Sequence, residues 1–139
     1  MKGKLIWSIF WSLVAIFILV VGIIFVPMLN QQSARVAPFG LIFLGAVFFL
    51  LGVALIVLTL KTKVAGTLKK FLLLSGAAPV GLPVFAVLHN LVSGLFDTEE
   101  PVFFILATLV CPLAFLVGAV GTIVLAIKNK SQIVPTGAP

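Results

Sequence analysis

Acidic side chains are scarce in this sequence of 139 residues. Asp97, Glu99 and Glu100 are the only three, against nine lysine and arginine residues. Because they share one short stretch, the rest of the chain has no carboxylate for general acid or base chemistry. The sequence also lacks a metal-ligand cluster, a nucleophile beside a base and a phosphate-binding glycine loop. We therefore expect a protein that is not an enzyme.

Cysteine and histidine each occur once. A single cysteine, Cys111, excludes an intrachain disulfide, and its apolar neighbours predict a small, unreactive packing residue. A single histidine, His89, cannot supply two imidazoles to a metal or a haem, so a second ligand would have to come from another chain. We predict no cofactor and no metal site. Haem ligation through His89 remains an alternative.

Charged residues of either sign make up only 9% of the chain, whereas hydrophobic residues make up 63%. Soluble globular proteins are about a quarter charged. Four stretches without charge cover residues 5–34, 36–60, 71–96 and 102–127. Each exceeds the roughly 20 residues that a helix needs to cross a bilayer, and none shows the alternation of a membrane-spanning strand.

We therefore predict an all-α membrane protein, an up-down bundle of four transmembrane helices. The predicted helices cover residues 4–29, 36–60, 68–96 and 101–127. They form a single transmembrane domain, 1–127. A short, basic and flexible tail, 128–139, follows.

The lysines predict the orientation of this bundle. Eight basic residues fall on one side of it: Lys2, Lys4, Lys61, Lys63, Lys69, Lys70, Lys128 and Lys130. Short loops rich in lysine stay in the cytoplasm, so we expect both termini and the 61–70 loop to face inward in the cell membrane. The 30–35 loop with Arg35 and the acidic 97–100 loop then lie outside. Trp7 and Trp11 are expected to anchor helix one at the lysine-side headgroups.

Small residues at spacings of three to seven predict where the helices pack. They are Ser8, Ala15 and Gly22 in helix one, Gly45, Gly52 and Thr59 in helix two, and Cys111, Ala114, Gly118 and Gly121 in helix four. Lipid provides no hydrophobic force between helices, so close backbone approach along small residues is a main source of stability. The alternative is that one stripe, that of helix four, faces a partner subunit or a second copy.

A polar stripe distinguishes helix three. At about 100° per residue, His89, Asn90, Ser93 and Asp97 share one arc of about 100°. An ionisable group inside the membrane is a candidate site by default, here for an ion or a partner. The alternative is structural, because a neutral histidine or an asparagine can hydrogen-bond a neighbouring helix.

Prolines predict breaks in two helices. Pro79 and Pro83 should kink helix three, and Pro112 should kink helix four, because each lacks an amide donor. The carbonyls of Ser75, Pro79 and Thr108 thereby lose their usual partners. Two kinks at one depth would leave carbonyls facing a small polar cavity, as in many transporters. Alternatively, Ser and Thr side chains and adjacent helices satisfy those groups.

The function that these features favour is that of a small, non-enzymatic accessory, assembly or interaction subunit of a membrane complex. Its expected partners are the lipid bilayer and either other membrane subunits or further copies of itself. Nucleic acid is not expected despite the net charge of +6, because the basic residues flank apolar helices in ones and twos. The alternatives are a small transporter or channel that uses the polar stripe, and a haem-binding anchor.

Overall fold

A computed structural model describes residues 2–29 and 37–133, with side chains over 3–25 and 39–129. The helices are α1 (Lys2–Leu29), α2 (Ala37–Lys61), α3 (Gly66–Phe96), α4 (Pro101–Ile105) and α5 (Cys111–Ile133). A π-helical turn, Leu106–Val110, joins α4 to α5 without a break. All regular structure in these ranges is helical. The predicted 30–35 loop with Arg35, and residues 134–139 of the predicted tail, lie outside the described residues.

Four segments are long and apolar enough to cross a membrane. They are Gly3–Phe25, Phe39–Lys61, Gly66–Phe96 and Pro101–Asn129. The shortest has 23 residues, more than the roughly 20 that hydrocarbon requires. The predicted fold class, an all-α bundle of four transmembrane helices, is confirmed. The architecture is that of a small multi-pass integral membrane protein.

The last helix runs beyond the predicted boundary at residue 127. It ends at Ile133, because no glycine or proline interrupts the sequence from Thr122 until Pro135. The backbone of residues 128–133 is therefore helical rather than irregular.

The third helix occupies the centre of the bundle. One side of α3 packs against α2 and the other against α5, whereas α1 packs mainly against α2. Aromatic rings bring α1 to α5: the ring centre of Phe115 lies 4.7 Å from that of Phe17 and 5.5 Å from that of Phe48. The buried core comprises Ile6, Phe10, Leu13, Phe48, Leu55, Leu72, Ala78, Phe115 and Ala119.

Glycines allow α2 and α3 to touch through their backbones. A Cβ atom placed on Gly52 would lie 2.8 Å from the carbonyl oxygen of Gly76 and 2.9 Å from the Cβ of Pro79. A Cβ on Gly76 would lie 2.7 Å from a side-chain carbon of Ile56. Non-bonded carbons prefer about 3.5–4.0 Å, so neither position has room for a side chain.

A second close contact joins α3 to α5. A Cβ atom on Gly118 would lie 2.6 Å from the hydroxyl of Ser75, and one on Gly121 would overlap the ring of Phe71. Cys111, which is buried, lies next to Gly81: a Cβ there would be 3.2 Å from its sulfur. Small residues on α5 thus face α3 over several turns.

Other small residues lie away from helix contacts. Among the described residues, no atom lies within 4 Å of a Cβ placed on Gly45 or on Gly22, and Ser8 and Ala15 are exposed. The first helix packs instead through Ile6, Phe10 and Leu13, which are 2%, 0% and 0% exposed. Bulky side chains fill the space beside α1, so this helix needs no close backbone approach.

Proline affects the two helices differently. Pro79 and Pro83 lie within α3, which stays helical from Gly66 to Phe96. Pro112 is the second residue of α5, which begins at Cys111 directly after the π-helical turn centred on Thr108. A π-helical turn is one way in which a helix accommodates a carbonyl that has lost its usual donor. The kinks themselves stay predictions.

Candidate functional site

His89 connects the end of α3 to the start of α4. Its Nδ1–H donates a hydrogen bond of 2.8 Å to the carbonyl oxygen of Glu100, and its ring centre lies 5.5 Å from that of Phe104. Because a carbonyl only accepts, Nδ1 carries the proton in the neutral ring and Nε2 does not. The partner is a backbone atom of Glu100, the last residue before α4 begins at Pro101.

The α3–α4 connection, residues 97–100, changes the predicted polar stripe. The third helix ends at Phe96, and Asp97 has a left-handed backbone with φ of 48°. The wheel that places Asp97 above Ser93 assumes a continuing helix, so it does not apply to this exposed residue. The Ser93 hydroxyl of α3 and the Glu100 Oε2 of the connection are both enclosed without a hydrogen-bond partner among the described residues.

Asn90 faces away from His89, toward the surface of the bundle. It is exposed, and its side-chain amide donates a hydrogen bond of 2.8 Å to the carbonyl of Ala86 on its own helix. At about 100° per residue, Asn90 shares a face with Ala86 and Val87. The predicted stripe is therefore divided: His89 contacts the α3–α4 connection, whereas Asn90 faces outward.

The helix-break residues do not meet at one place. Ser75 is fully buried, and its hydroxyl donates a hydrogen bond of 2.9 Å to the carbonyl oxygen of Phe71. Thr108 is exposed, and its hydroxyl donates a hydrogen bond of 2.6 Å to the carbonyl oxygen of Phe104. Pro79 is buried against Gly52, and Pro83 and Pro112 are half-buried. Ser75, Pro79 and Thr108 thus lie in three different environments.

An apolar groove separates α2 and α3 in the half of the bundle nearer to the α3–α4 connection. This α2/α3 groove has a volume of about 840 Å³. It is lined by Ile42, Gly45, Ala46, Phe49, Leu50, Leu82, Pro83, Val84, Ala86, Val87 and Leu88. Gly45 belongs to this groove and not to a helix contact, because α2 and α3 diverge beyond their close approach at Gly52.

A second groove lies between α1 and α5 at the lysine end. This α1/α5 groove has a volume of about 580 Å³. It is lined by Trp7, Trp11, Leu68, Ile123, Ala126, Ile127 and Asn129. Trp7 and Trp11, predicted as headgroup anchors one turn apart on α1, line this groove together with residues of α5. No feature of the sequence indicated that α5 would lie beside them.

Comparisons with known proteins leave these features as the basis for function. No family model matches the chain, no curated protein matches it, and no solved structure matches it. Among the described residues, no three His, Cys, Asp or Glu side chains are grouped so that they could hold a metal ion.

Proposed function

We propose that this protein is a non-enzymatic accessory or assembly subunit of a membrane complex, and that its α2/α3 groove receives a transmembrane helix of another subunit. The observation that supports this most is the groove itself, an apolar recess of about 840 Å³ with a bare glycine in its wall. Its length along α2 runs from Ile42 to Leu50, more than two helical turns.

Gly45 offers a place where a second helix can approach closely. Apart from its chain neighbours and the backbone of its own helix, no described residue comes within 4 Å of the position that its Cβ would occupy. Helices associate in lipid through van der Waals packing where small residues allow the backbones to approach, so open glycine on a groove wall favours a helical occupant. The short side chains of Ala46 and Ala86, which also line the groove, leave room beside Gly45 for another helix.

Asn90 gives that occupant a polar contact. It lies one turn beyond Ala86 and Val87 on the same face of α3, within the span and exposed. Its amide nitrogen is bonded to Ala86, and a side-chain oxygen left in hydrocarbon is unfavourable. A donor on a partner helix would satisfy that oxygen and contribute about 1 kcal/mol.

The proposed orientation places the lysines in the cytoplasm and the acidic α3–α4 connection outside. The support is the charge distribution: Lys61, Lys63, Lys69 and Lys70 cluster at the α2–α3 turn, whereas Asp97, Glu99 and Glu100 lie in the next connection. Lysine-rich short loops are retained inside, and acidic residues contribute little. The α2/α3 groove then lies in the outer half of the membrane.

A transport or channel role would require the polar stripe to line one path. Asn90 faces outward, whereas the proton on Nδ1 of His89 is engaged by the Glu100 carbonyl. These two environments favour a contact role for Asn90 and a structural role for His89. Haem ligation stays an untested alternative.

Site-specific photo-crosslinking in native membranes tests the proposal. A photoreactive amino acid replaces Val87, which is 65% exposed in the groove, or Leu113, which is 52% exposed on α5. We expect one discrete protein adduct from position 87 and none from position 113. Adding Gly45→Leu should abolish that adduct by filling the groove, whereas Gly22→Leu, at another open glycine, should leave it intact.

Two results would contradict a partner in the α2/α3 groove. One is an adduct with lipid alone at position 87. The other is a protein adduct that persists in full with Gly45→Leu. An adduct with a second copy of this chain would support the groove as a helix-docking surface and identify the partner as the protein itself.

A further inference from the structure

We infer that the α1/α5 groove binds an anionic phospholipid from the leaflet on the lysine side. The groove lies at the end of the bundle where the lysines are found. Its volume of about 580 Å³ falls within the roughly 300–1,000 Å³ of small-molecule sites. This inference is independent of the α2/α3 groove, which is at the opposite end of the bundle.

The walls of the groove suit an acyl chain. Trp7 and Trp11 form one wall, and each packs edge-on against the fully buried ring of Phe10, with ring centres 5.7 Å apart. Ile123 and Ala126 of α5 form the opposite wall. Since Phe10 holds both indoles, the apolar surface is preformed, and binding orders few additional side chains.

The mouth of the groove suits a negatively charged headgroup. Lys4 is exposed and, at about 100° per residue, lies only about 20° around α1 from Trp11. On α5, Lys128 directly precedes the groove residue Asn129. All three acidic residues of the chain are in the α3–α4 connection, at the other end of the bundle. Among the described residues, the acidic side chains therefore lie far from Lys4 and do not offset its attraction for a phosphate.

These features together favour a lipid over a protein helix. Indole rings prefer the headgroup boundary, where their apolar faces contact acyl chains and their N–H groups reach polar atoms. Basic pockets between transmembrane helices bind anionic headgroups. Unlike the α2/α3 groove, this one has no open glycine on its wall for a close helix approach.

Tryptophan fluorescence measures occupancy directly, because Trp7 and Trp11 are the only tryptophans in the chain. The protein is reconstituted in phosphatidylcholine vesicles with rising fractions of phosphatidylglycerol that carries bromine on its acyl chains. We expect quenching that saturates at a low fraction of the brominated anionic lipid. Brominated phosphatidylcholine should quench only in proportion to its abundance in the bilayer.

Two matched pairs of variants separate a site from general attraction. Lys4→Gln should raise the half-saturating lipid fraction about fivefold, as expected for one lysine near a membrane surface. Lys70→Gln removes an equal charge from an exposed position that lies about 200° around α3 from the groove residue Leu68. It should leave the half-saturating lipid fraction unchanged. Ala126→Phe should block the groove, whereas Val124→Phe, on the exposed side of α5, should not.

Equal quenching by the two brominated lipids at every fraction would overturn the inference, because it would mean that the groove contacts ordinary boundary lipid. An equal effect of Lys4→Gln and Lys70→Gln would also overturn it, since the preference would then belong to the whole lysine end. Retained saturation in a folded Ala126→Phe variant would do the same. The lysine pair keeps the test decisive if Ala126→Phe fails to fold.

Discussion

At the scale of single residues, the membrane-embedded core contains polar side chains that differ in how well they are satisfied. Thr59, Ser75 and Thr122 are each fully buried. The Ser75 hydroxyl donates to the Phe71 carbonyl, but the Thr59 and Thr122 hydroxyls have no hydrogen-bond partner among the described residues. An unsatisfied buried hydroxyl carries a desolvation penalty of about 1–3 kcal/mol. These two threonines therefore reduce the stability of the bundle.

Replacement of Thr122 by valine should stabilise the protein. Valine has a similar shape and no hydroxyl, so we expect the free energy of unfolding to rise by about 1 kcal/mol. The control is Thr108→Val, since Thr108 is exposed and its hydroxyl is already bonded to Phe104; it should produce little gain. Equilibrium unfolding in mixed micelles measures both. A clear loss of stability in Thr122→Val would mean that its hydroxyl has a partner.

Residue-scale features were only partly predictable. A polar helix-three stripe pointed to His89 as a group that needs a partner, because an ionisable side chain in lipid is unfavourable alone. Its partner is the Glu100 carbonyl, eleven residues away, and every residue offers such an atom. The identity of residue 100 therefore gave no indication that its carbonyl would pair with His89. Asp97 left the stripe because the helix ends one residue earlier.

At the scale of helices, α3 determines the packing of the bundle. It contacts α2 through Gly52 and Gly76, and it contacts α5 through Ser75 and Gly118. Seven-residue spacing of small residues indicated these faces in α2 and α5. The spacing could not predict that Gly52 is in a helix contact and Gly45 is not, because the two glycines lie on nearly the same face of α2. The difference arises from the divergence of α2 and α3, which the sequence of one helix does not indicate.

Alanine at Gly52 and at Gly45 should have opposite effects. We expect Gly52→Ala to lower the free energy of unfolding by about 1–3 kcal/mol, because its Cβ would meet the Gly76 carbonyl at 2.8 Å. Gly45→Ala should be neutral or stabilise by up to about 1 kcal/mol, since the space is open and alanine favours helix. Unfolding by denaturing detergent measures both. Equal effects at the two positions would contradict the divergence of the helices.

Helix-scale prediction succeeded where the length of an apolar run decided the outcome. Spans follow from long apolar runs, and those runs are unambiguous here. The face by which α1 packs was not predictable from its small residues, because α1 packs through the large buried side chains of Phe10 and Leu13. Proline at 112 indicated a disturbed helix, but not that it would take the form of a π-helical turn.

At the scale of the whole molecule, the two ends of the bundle differ in charge and in the grooves near them. The lysine end has the α1/α5 groove with its two indoles, and the acidic end has the α2/α3 groove below Asn90. Such an arrangement gives each leaflet a different contact with the same protein. Both proposals depend on one premise, namely that four spans separate these ends across a membrane.

Labelling of single cysteines by an impermeant maleimide tests that premise most directly. In a Cys111→Ser background, Thr98→Cys reports on the α3–α4 connection and Ala65→Cys on the α2–α3 turn; both positions are exposed. We predict that intact cells label Thr98→Cys alone and that Ala65→Cys reacts only after permeabilisation. Labelling of both from the same side would contradict the third span, and the reverse pattern would contradict the orientation.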